Sequence, residues 1–103
     1  MVQIIINHQK TGEFALLKTT GHAGSAPNGE DLVCAAVSGI VLGGINALKG
    51  KHYKLKYDER NGNIQLSNIG KMSEHDEIVI ETIIAQLQAV ARDNPKYVKI
   101  SIE

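Results

Sequence analysis

Val2 to Asn7 is a run dominated by β-branched residues, and Gly12 supplies a turn before a second extended stretch from Glu13 to Thr20. Two strands paired as a hairpin follow. Gly21 to Glu30 gathers three glycines, a proline, a serine and an asparagine, and holds neither the strand nor the helix period, so it is expected to be a loop. Asp31 closes that loop as the expected N-cap of a helix from Leu32 to Lys49, with Gly50 placed to end it.

His52 to Asp58 and Asn63 to Asn68 are predicted strands, and the Asn61-Gly62 dipeptide between them favours a hairpin turn. Ser73 is the expected N-cap of a second helix, with Glu74, Asp76 and Glu77 in a first turn where acidic groups complement the helix dipole. Ile80, Ile83, Ile84, Leu87 and Ala91 fall at helical spacing and predict one buried stripe. Asn94 and Pro95 close the helix. Val98, Ile100 and Ile102 then alternate within a last strand from Tyr97 to Ile102.

The predicted order is strand, strand, helix, strand, strand, helix, strand. From the second strand onward it follows the ferredoxin-like split βαβ pattern, with one strand added at the N-terminus. The fold class is therefore α+β, a mainly antiparallel five-stranded sheet with two helices on one face, because two helices cannot cover both sides of five strands. A chain of 103 residues, 43% apolar, builds one core and one domain, spanning residues 1–103.

Composition changes this picture little. Eleven basic residues balance eleven acidic ones, so the totals favour no nucleic acid and no anionic membrane. Leu32 to Leu48 is free of charge but holds Ser38, Gly39, Gly43, Gly44 and Asn46, and is read as a buried helix rather than a membrane span. One cysteine forms no intramolecular disulfide, and the N-terminus lacks the basic start of a secretory signal, so a reducing cytoplasmic setting is expected.

The chemistry concentrates in Gly21 to Gly39, GHAGSAPNGEDLVCAAVSG. If Asp31 caps the helix, Cys34 is its third residue, where unpaired N–H groups and the positive end of the dipole favour a thiolate over a thiol. His22, twelve residues earlier, stands where the second strand ends, and the intervening loop can return its ring to the sulfur. It would hold the proton taken from Cys34 and deliver it to a leaving amine. Asp31 and Ser38, at i−3 and i+4, share a helical face with Cys34 and are supporting or substrate-binding candidates. A lone cysteine is also commonly a small buried hydrophobe, Asp31 an ordinary cap and Ser38 a small residue at a packing seam.

No histidine pair has zinc-motif spacing, and His8, His52 and His75 are read as strand-end or solvated residues, so no metal or other cofactor is assigned. The rival reading is an RNA- or ribosome-binding module with a non-catalytic cysteine, since RRM domains share the split βαβ order. Tyr53, Tyr57, Lys54, Lys56 and Arg60 offer it stacking and basic groups, but the strand Asn63 to Asn68 carries no aromatic, and no direct nucleic-acid partner is expected.

Gly21, His22 and Ala23, then Gly29, Asp31, Val33, Cys34, Ala35, Ala36, Val37 and Ser38, resemble the motif of the ribosomal-processing cysteine proteases called Prp. The resemblance implies a cysteine endopeptidase with His22 and Cys34 as its catalytic pair and Gly21 within its motif. It also implies a ribosomal protein precursor as substrate: the twenty-seventh protein of the bacterial large subunit, whose short N-terminal extension is removed after an aromatic residue during ribosome maturation. A homodimer is expected through the first helix, which Leu32, Val33, Val37, Ile40, Val41, Leu42, Ile45 and Leu48 surround with apolar groups. The loop Ala23 to Glu30 is expected to close over bound peptide.

Overall fold

The computed structural model describes residues 1–21 and 28–103, with side chains after the break from residue 32 onward. Five strands and two helices follow in the predicted order: β1 (Val2–His8), β2 (Phe14–Thr20), α1 (Asn28–Ile45), β3 (Tyr53–Asp58), β4 (Asn63–Asn68), α2 (Glu74–Asp93) and β5 (Val98–Ile102). The sheet runs β3-β4-β2-β1-β5. All neighbours are antiparallel except β1 and β5, which run parallel. The added strand β1 thus sits inside the split βαβ sheet, between β5 and β2.

Alternation decides which side of each strand is covered. Val2, Ile4 and Ile6 of β1, Leu17 and Thr19 of β2, Ile64 and Leu66 of β4 and Val98 of β5 are buried, and the pairings Ile4 with Thr19, Ile6 with Leu17 and Leu17 with Leu66 put them on one face. Val33, Val37 and Val41 of α1 and Ile80, Ile83 and Leu87 of α2 complete the core above that face. Burying each such side chain contributes roughly 1.5–3 kcal/mol. Both helices therefore lie on one side of the sheet, and the other side stays open. Toward β3 the helical layer runs out, leaving Leu55 and Tyr57 on the helix side but 47% and 48% exposed.

The first helix departs from expectation at both ends. It begins at Asn28, so Asp31 is not its N-cap but lies inside its first turn. An acidic residue is favoured in either place, because the dipole's positive end attracts it in the first turn as well as at the cap. At the other end regular helix stops at Ile45 and tightens into i→i+3 bonds, Ala47 N–H to Gly44 O at 2.9 Å and Leu48 N–H to Ile45 O at 3.1 Å. Gly44 makes the close helix crossing, since a Cβ there would collide with the Ile83 side chain, whereas Gly39 and Gly43 face open space. The second helix matches its prediction: the Ser73 hydroxyl accepts the Asp76 N–H at 3.2 Å, and Asn94 caps the other end.

Asp76 is the unforeseen core residue. It stands one turn before Ile80 on the apolar stripe, is 0% exposed, and accepts N–H donors from Lys49 and Gly50, both at 2.9 Å, and the Tyr53 hydroxyl at 2.8 Å. Burial alone would raise its pKa. Those three hydrogen bonds, with the neighbouring His75, hold it below the ordinary carboxylate value instead. In return, burial and the Asp76 contact push the Tyr53 phenol up. The carboxylate ties the chain leaving α1 and the start of β3 to the first turn of α2.

Candidate active site

Two local features bring the exit of β2 beside α1. Gly21 has φ +92°, a left-handed conformation, and a Cβ on it would strike the Met1 carbonyl oxygen. Only glycine fits there. The chain therefore leaves β2 pressed against the N-terminus of β1, immediately before His22.

The second feature is the inward face of α1. Val33 and Val37 anchor it on the sheet, which leaves Cys34, half-buried, and Ser38, one turn later, at the edge of the helical layer. Both open into a cleft of about 180 Å³ whose other walls are Val2, Thr19 and Gly21 at the β1–β2 end and Tyr57, Glu59 and Gly62 around the β3–β4 turn. Larger hollows, about 380 Å³ between the β1–β2 turn and α2 and about 540 Å³ along the outer face of α1, contain no cysteine. Volume does not single out the cleft that holds the cysteine.

Of the residues expected at the site, Gly21, Cys34 and Ser38 meet in this cleft. Asp31 is one helical turn before Cys34 in the backbone of α1; its side chain, and all of His22, lie outside the described residues. The expected lid also falls mostly there, at 23–27, while Asn28, Gly29 and Glu30 belong to α1 rather than to a loop.

The early start of α1 alters the argument for Cys34. It is the seventh residue of the helix, in its second turn, beyond the four unpaired N–H groups and beyond the turn where the dipole acts most strongly. The helix end alone is therefore not what would activate the thiol.

Tyr57, Thr19 and Glu59 were not anticipated as cleft residues. Alternation offered a signal: Tyr57 pairs with Ile64 and Thr19 with the same residue from the other side, so both share the helix face. The same alternation dismantles the stacking surface of the rival reading. Tyr53 and Tyr57 face the helices, Tyr53 bound to Asp76, whereas Lys54 and Lys56 face the open side. Among the described residues no three His, Cys, Asp or Glu side chains are grouped to hold a metal ion, and no helix is long and apolar enough to cross a membrane.

The fold has counterparts among solved structures. A Staphylococcus aureus structure described as an essential ribosomal processing protease Prp with a substrate peptide superposes with a TM-score of 0.91 over 100% of both chains, at 19% identity. A Streptococcus mutans structure matches at TM-score 0.82 and 28% identity over 99% of this chain and 93% of that one. In sequence, the ribosomal processing cysteine protease Prp of Bacillus subtilis is 31% identical over 100 residues, covering 90% of this chain and 89% of its own. The family model described as cysteine protease Prp matches residues 1–99, and the chain belongs to that family of ribosomal-processing cysteine proteases.

Proposed function

We propose that this chain is a cysteine endopeptidase using Cys34 as nucleophile and His22 as its proton-transfer partner. The observation that carries the reading is the opening of its single cysteine into the cleft beside Gly21, the residue that precedes His22, in a chain matched to Prp over residues 1–99. The Cys34 sulfur, its proton passed to His22, attacks the scissile carbonyl carbon and forms a tetrahedral adduct. Collapse breaks the C–N bond, the amine leaves with the proton from His22, and a thioester remains on Cys34. Water, deprotonated by the same imidazole, hydrolyses the thioester and restores the thiol.

The substrate is the precursor of large-subunit ribosomal protein twenty-seven, cut after an aromatic residue of its N-terminal extension, in the cytoplasm where a lone thiol stays reduced. Tyr57, 48% exposed at the mouth of the cleft, supports the aromatic preference, since edge-to-face or offset contact between rings adds about 0.5–1.5 kcal/mol beyond area burial. Ser38, which opens into the cleft, supports substrate or imidazole, and Asp31, one helical turn before Cys34 in sequence, is the second supporting residue of this proposal. The dimer uses the outer face of α1, where Leu32 is 73% exposed beside Ala35, Ala36, Gly39 and Gly43.

The test is incubation with a peptide spanning the extension junction and mass analysis of the products, in parallel with Cys34→Ala and His22→Ala. Cleavage after the aromatic residue that both substitutions abolish is expected. Undiminished cleavage by Cys34→Ala removes the thiol mechanism, and an intact peptide with the unsubstituted protein removes the substrate assignment.

A further inference from the structure

Equal totals of acidic and basic residues conceal a segregation that the strand register imposes. The uncovered face of the sheet carries Lys54 and Lys56 from β3, Lys18 from β2 and Lys99 from β5, all exposed. One cross-strand row reads Lys56, Gln65, Lys18, Ile5, Ser101, and the next reads Lys54, Ser67, Leu16, Asn7. The carboxylates of this parity, Asp58 and Glu103, stand at strand ends, and Asp58 is engaged by Asn61 through N–H donors at 3.3 and 2.7 Å. None of the four lysines makes an ion pair among the described residues. Glu74, Glu77 and Glu81 lie on the opposite, helical side of the molecule.

Between Lys18 and Lys56, above Gln65 and Asn63, the surface sinks into a hollow of about 280 Å³, with Asp58 and Tyr57 at its β3 end and the Asp58 carboxylate taken up by Asn61. A cationic strip with amide and hydroxyl donors between its charges suits a chain of phosphates and ribose hydroxyls. Among the described strand residues no aromatic side chain stands on this face to stack a base; its apolar side chains Ile5 and Leu16 are half-buried, and the exposed Met1 and Ile69 lie beyond the strand ends. We infer that the open face of the sheet is a docking surface for single-stranded RNA, held through its phosphate backbone and indifferent to sequence. The surface is separate from the Cys34 cleft, and the inference stands or falls independently of proteolysis. For a protease acting on a component of the ribosome, such a surface would hold it near an RNA-rich particle.

The experiment is fluorescence anisotropy of a labelled single-stranded RNA of about 12 nucleotides, an affordable span for one small sheet surface, titrated with the intact protein over a range of salt. Four lysine contacts give a slope of log affinity against log salt of about −2.8, and removing two halves it to about −1.4. The paired substitutions Lys18→Gln with Lys56→Gln should produce that change, Lys18→Arg with Lys56→Arg should retain the full slope, and Lys10→Gln with Lys71→Gln, outside this face, should leave it untouched. A thermal melt of each variant separates lost binding from lost folding. No binding at low salt, a slope unaffected by the Lys18 and Lys56 glutamines, equal loss from the Lys10 and Lys71 pair, or binding to phosphatidylserine vesicles without binding to RNA overturns the inference.

Discussion

Asp76→Ala is expected to be the most destabilising single change outside the apolar core. It removes the acceptor of three hydrogen bonds at once, the Lys49 and Gly50 N–H groups at 2.9 Å and the Tyr53 hydroxyl at 2.8 Å. A buried donor left without a partner costs roughly 1–3 kcal/mol. Lys49 is exposed and Gly50 and Tyr53 are half-buried, so water reaches part of the site and the sum is reduced to about 3–5 kcal/mol, the usual range for breaking a buried charged network. For a domain of this size that lowers Tm by on the order of 15–30 °C. Tyr53→Phe removes only one of the three donors and should cost about 1 kcal/mol. The pH dependence has a definite sign. Because the folded carboxyl titrates below its unfolded value, its contribution is complete above the unfolded pKa of about 4 and fades as pH falls through the lower folded value. Thermal melts of the three proteins across acidic pH provide the assay. A Tm for Asp76→Ala within about 3 °C of the unsubstituted protein near neutrality, less than 1 kcal/mol on this scale, would refute the reasoning, as would an acid loss of stability equally steep in Asp76→Ala.

Gly21→Ala should lose both stability, by roughly 1–2 kcal/mol for a left-handed residue gaining a Cβ, and peptide cleavage, because relief of the clash with Met1 redirects the chain at His22; melts and cleavage rates are read together. Cys34→Ala should melt within about 1 kcal/mol of the unsubstituted protein while losing all turnover, since the void left by one half-buried sulfur is small. Tyr57→Ala should raise KM for an aromatic-containing peptide with kcat changed less, and Tyr57→Phe should restore it, checked by initial rates. Sedimentation at tens of micromolar, an order-of-magnitude choice for a modest interface, should show a dimer that Gly39→Leu with Gly43→Leu dissociates, both positions facing open space in the single chain.

Periodicity made the fold legible because each strand buries one side only. Val2, Ile4 and Ile6, or Ile80, Ile83 and Leu87, can be placed from spacing, and the structure buries all six. Helix ends were less legible. Asn28 and Gly29 have low helix propensity, and Asp31 satisfies the cap and first-turn preferences alike, so local chemistry does not choose between a start at 28 and one at 32. From the sequence Asp76 is a dipole partner, as a carboxylate in a first turn usually is; its burial depends on donors from Lys49, Gly50 and Tyr53, more than twenty residues away. Cys34 stands out from its setting in the sequence, and the structure places it in the cleft. Tyr57 and Thr19 do not stand out, because their place in the cleft needs β2 and β3 on either side of β4, a pairing that no local pattern encodes.

The same pairing explains how a chain of zero net charge can present different chemistry on its two sides. In a strand, successive lysines at i and i+2 share a face, so Lys54 and Lys56 necessarily leave the helix side to Tyr53, Leu55 and Tyr57. The helix side then holds the thiol and the buried Asp76 network, which needs a fixed α1: Gly44 seats the helix on Ile83, Asp76 holds the chain that leaves it, and Val33 and Val37 set the turn bearing Cys34 on the sheet. Since Cys34 lies past the first turn, its position follows from this packing and not from the helix end. In the proposed mechanism activation comes from His22, the residue that follows Gly21. In that proposal Gly21, where the chain leaves β2, and Cys34, thirteen positions later, are parts of one geometric requirement.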